Sequence, residues 1–177
     1  MDYTDIRAAA STVLVDLNLT TGAVGHLGVL DGSFVHYLDK VGGAATHSVP
    51  SHVGARLAAE ETVTGRALLA QLPPEDVDRR YAADRRWTTR DGMGIEHLHR
   101  RLDRVRRRRG VAFSSAERCG MGISSVAAPV LGPHGVIAAI SLATRRPMQL
   151  EALGPVVSAA ARTTSARLFP DWQASAR

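Results

Sequence analysis

Apolar positions recur along this chain in two periods, one helical and one strand-like. From Asp5 to Leu17, residues Ile6, Ala9, Ala10, Val13, Leu14 and Leu17 recur every three or four positions. This spacing predicts an amphipathic helix, ended by the turn residues Asn18 to Gly22. Ala23 to Leu30 predicts a strand rich in small residues, and Asp31-Gly32 reads as a hairpin dipeptide. Phe34 to Val41 predicts the return strand, with Phe34, His36, Leu38 and Lys40 on one face and Val35, Tyr37, Asp39 and Val41 on the other. Gly42 to His52 predicts a loop, and Val53 to Ala59 a short extended piece. Thr62 is a good N-cap for a helix that buries Ala67, Leu68, Leu69 and Leu72. Pro73-Pro74 ends that helix and starts another, which runs to about Ala83. Trp87 to Gly92 reads as a loop. Ile95 to Arg109 is the clearest amphipathic helix, with Ile95, Leu98, Leu102 and Val105 in one stripe and Gly110 as its C-terminal stop.

The stretch Arg109 to Ala143 then reads as strand, polar loop, strand, tight turn and strand, with Gly132-Pro133-His134-Gly135 at the turn. Leu150 to Leu168 predicts a long closing helix that Gly154-Pro155 interrupts or kinks. Helix, hairpin, helices and further strands in this order predict an α+β domain. Small residues and the serines Ser114, Ser125 and Ser141 occupy strand positions where core filling alone favours Leu or Ile. They point to a cavity with a few hydrogen-bonding groups.

At 177 residues the chain is long enough for one domain, with residues 1–177 expected to form it. No run approaches the ~18 apolar residues of a membrane span. One cysteine, Cys119, allows no internal disulfide, which fits a cytoplasmic setting. The net charge is +5, concentrated in the arginines between Arg100 and Arg109, while Lys40 is the one lysine. The run Arg106 to Arg109 reads as a solvated face at a helix C-terminus, where cations suit the dipole. No aromatic residues interleave with it as a stacking surface for single strands would require.

Residues that could carry chemistry form no complete set. His97 and His99 lie two apart on a helix and point in different directions. His26 and His36 sit on neighbouring strands, without the Cys or carboxylate partners of a metal site. Neither a metal nor a cofactor is expected. No serine has a nucleophile-elbow turn or a legible His and Asp partner, so no catalytic residue is assigned. Cys119 beside Arg118 could be a reactive thiol. The first turn at Thr62-Val63-Thr64-Gly65 offers free backbone N–H groups, and Gly65 permits close approach of another element. A small-molecule hydrolase and a basic nucleic-acid-binding module both remain open on the residues alone.

Three segments in order resemble the C-terminal domain of IclR-type bacterial transcriptional regulators. They are Val63 to Val77, Arg109 to Glu117 and Gly122 to Ala143, and Thr21 to Val41 is similar to the hairpin that opens that domain. The resemblance covers nearly the whole chain. It implies a GAF-like α+β fold, a twisted antiparallel sheet with helices packed on it. It implies a domain that binds a small organic effector, often a carboxylate or an aromatic compound, and forms homodimers or homotetramers. Effector contacts carried over by motif fall on Val63, Thr64, Ser114, Ser125, Ser141 and Ala143. DNA contact in this family, whether repressor or activator, belongs to a winged helix-turn-helix. Nothing before Asp5 resembles one, so a separated effector domain or a stand-alone relative is expected. Two features depart from the family. Ala58-Ala59-Glu60 replaces a common Pro-Leu-His, and Glu61 and Thr64 stand where small or apolar residues are usual. Glu60 and Glu61, if they face the cavity, repel an anionic effector.

Overall fold

In the computed structural model, which describes residues 2–82 and 93–172 apart from the side chains of Met93, Arg118 and Cys119, a six-stranded antiparallel sheet separates two layers of helices. Helix α1 (Tyr3–Thr21) leads into β1 (Val24–Asp31) and β2 (Phe34–Val41). A 3-10 segment (Gly43–Ser48), β3 (Arg56–Ala58) and a second 3-10 turn (Ala59–Glu61) precede α2 (Val63–Leu69) and α3 (Pro74–Ala82). Then come α4 (Met93–Arg107), β4 (Ala112–Ser114), the short α5 (Ala116–Cys119), β5 (Ser124–Gly132), β6 (Gly135–Thr144) and α6 (Leu150–Leu168). Spatial order in the sheet is β3-β2-β1-β6-β5-β4. The α+β, GAF-like reading of the sequence is the architecture found.

Each face of the sheet has its own core. On one, α1 and α6 cover Leu27, Val29, Val126, Ala128, Val130, Ala138, Ile140 and Leu142. On the other, α2 and α4 bring Leu68, Leu69, Leu98 and Leu102 onto Val35, Ala112, Ala127 and Ala139. The period-2 alternation of β5 and β6 sends one set of side chains to each layer. The second face is built from small residues so that α2 can lie close. A Cβ on Gly28 would stand 2.9 Å from Thr64 Cγ2 and 2.7 Å from Val35 Cγ1. One on Gly65 would stand 2.1 Å from the Ala59 carbonyl oxygen, so α2 rests against the turn before it only because Gly65 lacks a side chain.

Several sequence expectations need correction. Helix α1 runs four residues past Leu17 and ends on Gly22 in the left-handed region, whose N–H donates to the Asn18 carbonyl. The first hairpin turns on Gly32 and Ser33, with Asp31 paired to Phe34. Strict alternation fails in β2. The register slips between Leu27 and Gly28, and the extra residue, Leu38, joins the α1 side, which places Lys40 opposite His26. His26 and His36 accordingly do not meet, since the His36 ring packs on Tyr3 of α1 at 5.8 Å. The expected polar loop after β4 contains α5, and the loop after β2 contains a 3-10 segment. Arg109, not Gly110, is the first residue with positive φ after α4, and the Gly110 N–H closes the end on the Val105 carbonyl. Helix α6 starts at Leu150 and carries Pro155 within it. The loop expected at Trp87 to Gly92 and the end of α3 at Ala83 lie outside the described residues.

Candidate functional site

The register of the sheet writes two polar rows onto the α2 side. Ser114 faces Ser125, Ser125 faces Ala143, and Ala143 faces Val24. Two residues along each strand, Ala127 faces Ser141, Ser141 faces His26, and His26 faces Lys40. Helix α2 covers only part of these rows. The uncovered part is the floor of a cavity of about 850 Å3, walled by the start of α2, by α4, and by the segments around Val49 to Ser51 and Met121 to Ile123. Val63, Thr64, Ser114, Ser125, Ser141 and Ala143 all border this one cavity. Apolar cover at the sheet end comes from Val24, Val49, Ile123 and Ala143, which pack together. Arg145 braces the flanking segments from outside the lining. Its Nε donates to the Ser48 carbonyl at 2.6 Å, and its Nη1 donates to the Met121 carbonyl, tying the two flanking segments together.

Uncharged polar groups line the floor and are bonded to one another. Tyr37 donates from its phenol to Thr64 Oγ1 at 3.4 Å, and Thr64 donates to Ser141 Oγ at 3.0 Å. Burial raises the Tyr37 pKa, and the Thr64 hydroxyl offsets only part of that. His26 Nε2 and Ser51 Oγ are hydrogen-bonded at 2.7 Å, with the His26 ring edge-on to Tyr37 at 5.4 Å. Burial, helped by the positive charge of Lys40, lowers the His26 pKa to about 3, so the imidazole is neutral at working pH. Lys40 donates to the carbonyls of Val49 (2.8 Å) and Ser51, which fixes that wall. Among the described residues Ser51 and His26 form the one hydrogen-bonded serine–histidine pair in the cavity, but a histidine so hard to protonate is a poor general base.

The charged groups resolve the question raised by Glu60 and Glu61. Glu60 is buried away from the cavity and accepts a 2.8 Å hydrogen bond from the Tyr81 hydroxyl. Glu61 is exposed at the cavity edge. Arg66, buried on α2, donates to the Glu60 and Phe113 carbonyls at 3.2 and 3.4 Å, bridging α2 to β4. Sequence reasoning missed the basic row beside the cavity. His97, Arg101, Arg104 and Arg108 border the cavity from the α4 side; Arg104 and Arg108 are exposed as well, and Arg107 to Arg109 face solvent as the sequence reading expects. The row's spacing of four, three and four residues was the available signal, a second stripe beside Leu98, Leu102 and Val105. Arg106 leaves this row. Its Nε donates to the Ala70 carbonyl (2.9 Å) and its Nη2 to the Leu72 carbonyl (3.1 Å), capping the end of α2. His99 is bound to Asp78 at 2.6 Å, away from His97. Among the described residues no group of three or more His, Cys, Asp or Glu side chains could hold a metal ion, and no helix is long and apolar enough to cross a membrane. The Cys119 side chain lies outside the described residues.

Comparison with known proteins shows the family and the fold. Residues 1–166 match the family described as bacterial transcriptional regulator IclR C-terminal. The chain is 34% identical over 146 residues to the HTH-type transcriptional regulator RhmR of Escherichia coli, covering 80% of this chain and 55% of that protein. It spans about half the length of the curated relatives it matches. Among solved structures, the C-terminal domain of the E. coli transcriptional regulator KdgR superposes with a TM-score of 0.76 at 27% identity, over 93% of this chain and 98% of that one. An IclR homologue from Microbacterium hydrocarbonoxydans, solved with 4-hydroxybenzoate, superposes with a TM-score of 0.81 at 20% identity, over 97% of this chain and 71% of that one. The latter shows a shared fold.

Proposed function

Because this chain belongs to the IclR-type bacterial transcriptional regulators, as the C-terminal domain that binds effectors and carries oligomerisation in that family, we propose that its cavity senses a small organic acid with an apolar or aromatic body. The observation that carries this reading is the cavity itself. About 850 Å3 of space is lined by neutral hydrogen-bonding groups on the floor, apolar groups at the sheet end and cations on the α4 side. Val63, Thr64, Ser114, Ser125, Ser141 and Ala143 are its effector contacts. The hydroxyls of Thr64 and Ser141 take the ligand's polar atoms, and Val49, Ile123 and Ala143 take its body. A bound aromatic acid in the Microbacterium homologue supports that class of ligand.

A ligand seated here touches both α2 and the sheet, and so favours whichever arrangement of the two fits it best. In the working protein this bias reaches DNA through a winged helix-turn-helix domain, in a cytoplasmic homodimer or homotetramer. The chain itself does no chemistry on the ligand and reads no DNA.

Thermal shift of the chain against a panel of small aliphatic and aromatic acids tests the reading. A true ligand at 100-fold excess over its Kd adds about 2.7 kcal/mol. Ser125→Leu fills the floor and abolishes that gain while leaving the unliganded melting temperature near wild type. A panel in which no acid stabilises the protein refutes the reading.

A further inference from the structure

The charge lining the cavity is lopsided. Among the described residues Arg66, Arg101, Arg104 and Arg108 border it, and the one carboxylate that does so is Glu61. Arg66 is committed to backbone carbonyls. The other three lie three and four residues apart, where side chains on a helix stand one above another and like charges repel. The acids of α4 do not relieve them, since Asp103 pairs with Arg106 at 2.9 Å and Glu96 lies 3.8 Å from Arg100. From the facing elements, Glu60, which accepts from Tyr81, and Glu61 at the edge act on Arg101 at a distance without an ion pair, and His26 is neutral. Among the described residues no hydrogen bond or ion pair engages the half-buried Arg101 guanidinium. Burial, then the neighbouring Arg104, lowers the Arg101 pKa against the pull of Glu60 and Glu61. The Arg108 guanidinium lies over the Phe113 ring at 5.2 Å, whereas packing does not need Arg101 and Arg104, because Leu98, Leu102 and Val105 already seat α4.

We infer that Arg101, Arg104 and Arg108 form a second anion subsite, so that the effector carries two anionic groups on a body spanning from this row to the Ser141 floor. Guanidinium groups recognise carboxylate and phosphate alike through paired N–H donors, so the second group is either of these. Against four lining arginines and Glu61, a singly charged acid leaves two surplus positive charges and a doubly charged one leaves one. The inference rests on the sensing reading and sharpens it, because it places the ligand's charge on α4, outside the six contacts that the family motifs supply.

Titration calorimetry at pH 8 with benzoate, terephthalate and 4-carboxyphenyl phosphate tests it on the chain as it stands. The last two differ in whether the second anion is carboxylate or phosphate. At least one of them binds about tenfold or more tighter than benzoate in low salt, and the advantage shrinks in about 1 M NaCl, where the screening length falls to about 3 Å. The double variant Arg101→Gln/Arg104→Gln loses this preference, keeps benzoate affinity within about threefold, and melts no lower than wild type without ligand, since it relieves repulsion. Equal binding of benzoate and both dianions, or a preference that survives in the double variant, overturns the second subsite and leaves the sensing reading in place. Three probes that all fail to bind overturn both.

Discussion

Replacing Gly65 with alanine tests how the cavity wall is built. The added Cβ would lie 2.1 Å from the Ala59 carbonyl oxygen, 2.4 Å from its Cα and 2.5 Å from its carbonyl carbon. Ordinary contact begins at 3.4 Å, so the gap must open by about an ångström against backbone, which cannot rotate aside as a side chain can. Nor can α2 lift freely, because the Thr62 hydroxyl accepts from the Gly65 N–H at 2.8 Å on that same turn. Overpacking by a methyl costs roughly 1–3 kcal/mol in a yielding core, and this site belongs at or above the upper end. The better helix propensity of alanine returns about 1 kcal/mol. A net loss of about 2–3 kcal/mol lowers the melting temperature of a domain this size by roughly 4–12 °C. Circular dichroism melts give the shift, and urea titration with an unchanged slope assigns it to stability. Because Val63 and Thr64 move with α2, any ligand that stabilises wild type binds the variant more weakly. A variant melting within about 2 °C of wild type refutes the close-approach argument, since a strained backbone contact cannot be that cheap.

Three further outcomes follow from the same geometry. Arg106→Leu strips the caps from the Ala70 and Leu72 carbonyls and costs about 1–3 kcal/mol in urea denaturation; Arg106→Lys does not restore it, because one ammonium cannot span both acceptors. Thr64→Val deletes the hydroxyl that joins Tyr37 to Ser141 and costs about 1–3 kcal/mol, with a cavity ligand losing affinity in parallel. For pH, the folded His26 pKa near 3 lies below its unfolded value of 6.5, so the unfolded chain binds the extra proton between them. Stability from this group is therefore complete above pH 6.5 and falls by up to about 1.4 kcal/mol per unit as pH drops towards 3. The variant His26→Asn removes that slope between pH 6 and pH 4, whereas equal acid sensitivity of the two proteins contradicts a buried, neutral His26.

The strands and long helices were legible because their apolar periods are strong. Leu98, Leu102 and Val105 seat α4 where their spacing puts them, and Ser125, Ala127, Ser141 and Ala143 share the cavity face as alternation in β5 and β6 requires. The small residues had two causes where sequence reasoning saw one. Gly28, Ala127 and Ala139 admit α2, and only the serines and Ala143 leave open space. The slip at Leu38 was invisible because an extra residue in a strand leaves no mark on an otherwise regular pattern, and it alone sets Lys40 against His26. Tyr37 and Ser51 were missed because each meets His26 only through tertiary packing. The arginines that border the cavity were missed for a different reason. A cationic helix face reads as solvated from sequence, and whether it borders a cavity depends on what lies opposite.

The most direct test of the central claim is the crystal structure of the chain grown with saturating terephthalate. The account predicts density inside the cavity, one carboxylate against the Thr64 and Ser141 hydroxyls and the other against Arg101 and Arg104. An empty cavity at saturation, with terephthalate bound on the α1 and α6 face or nowhere, contradicts it.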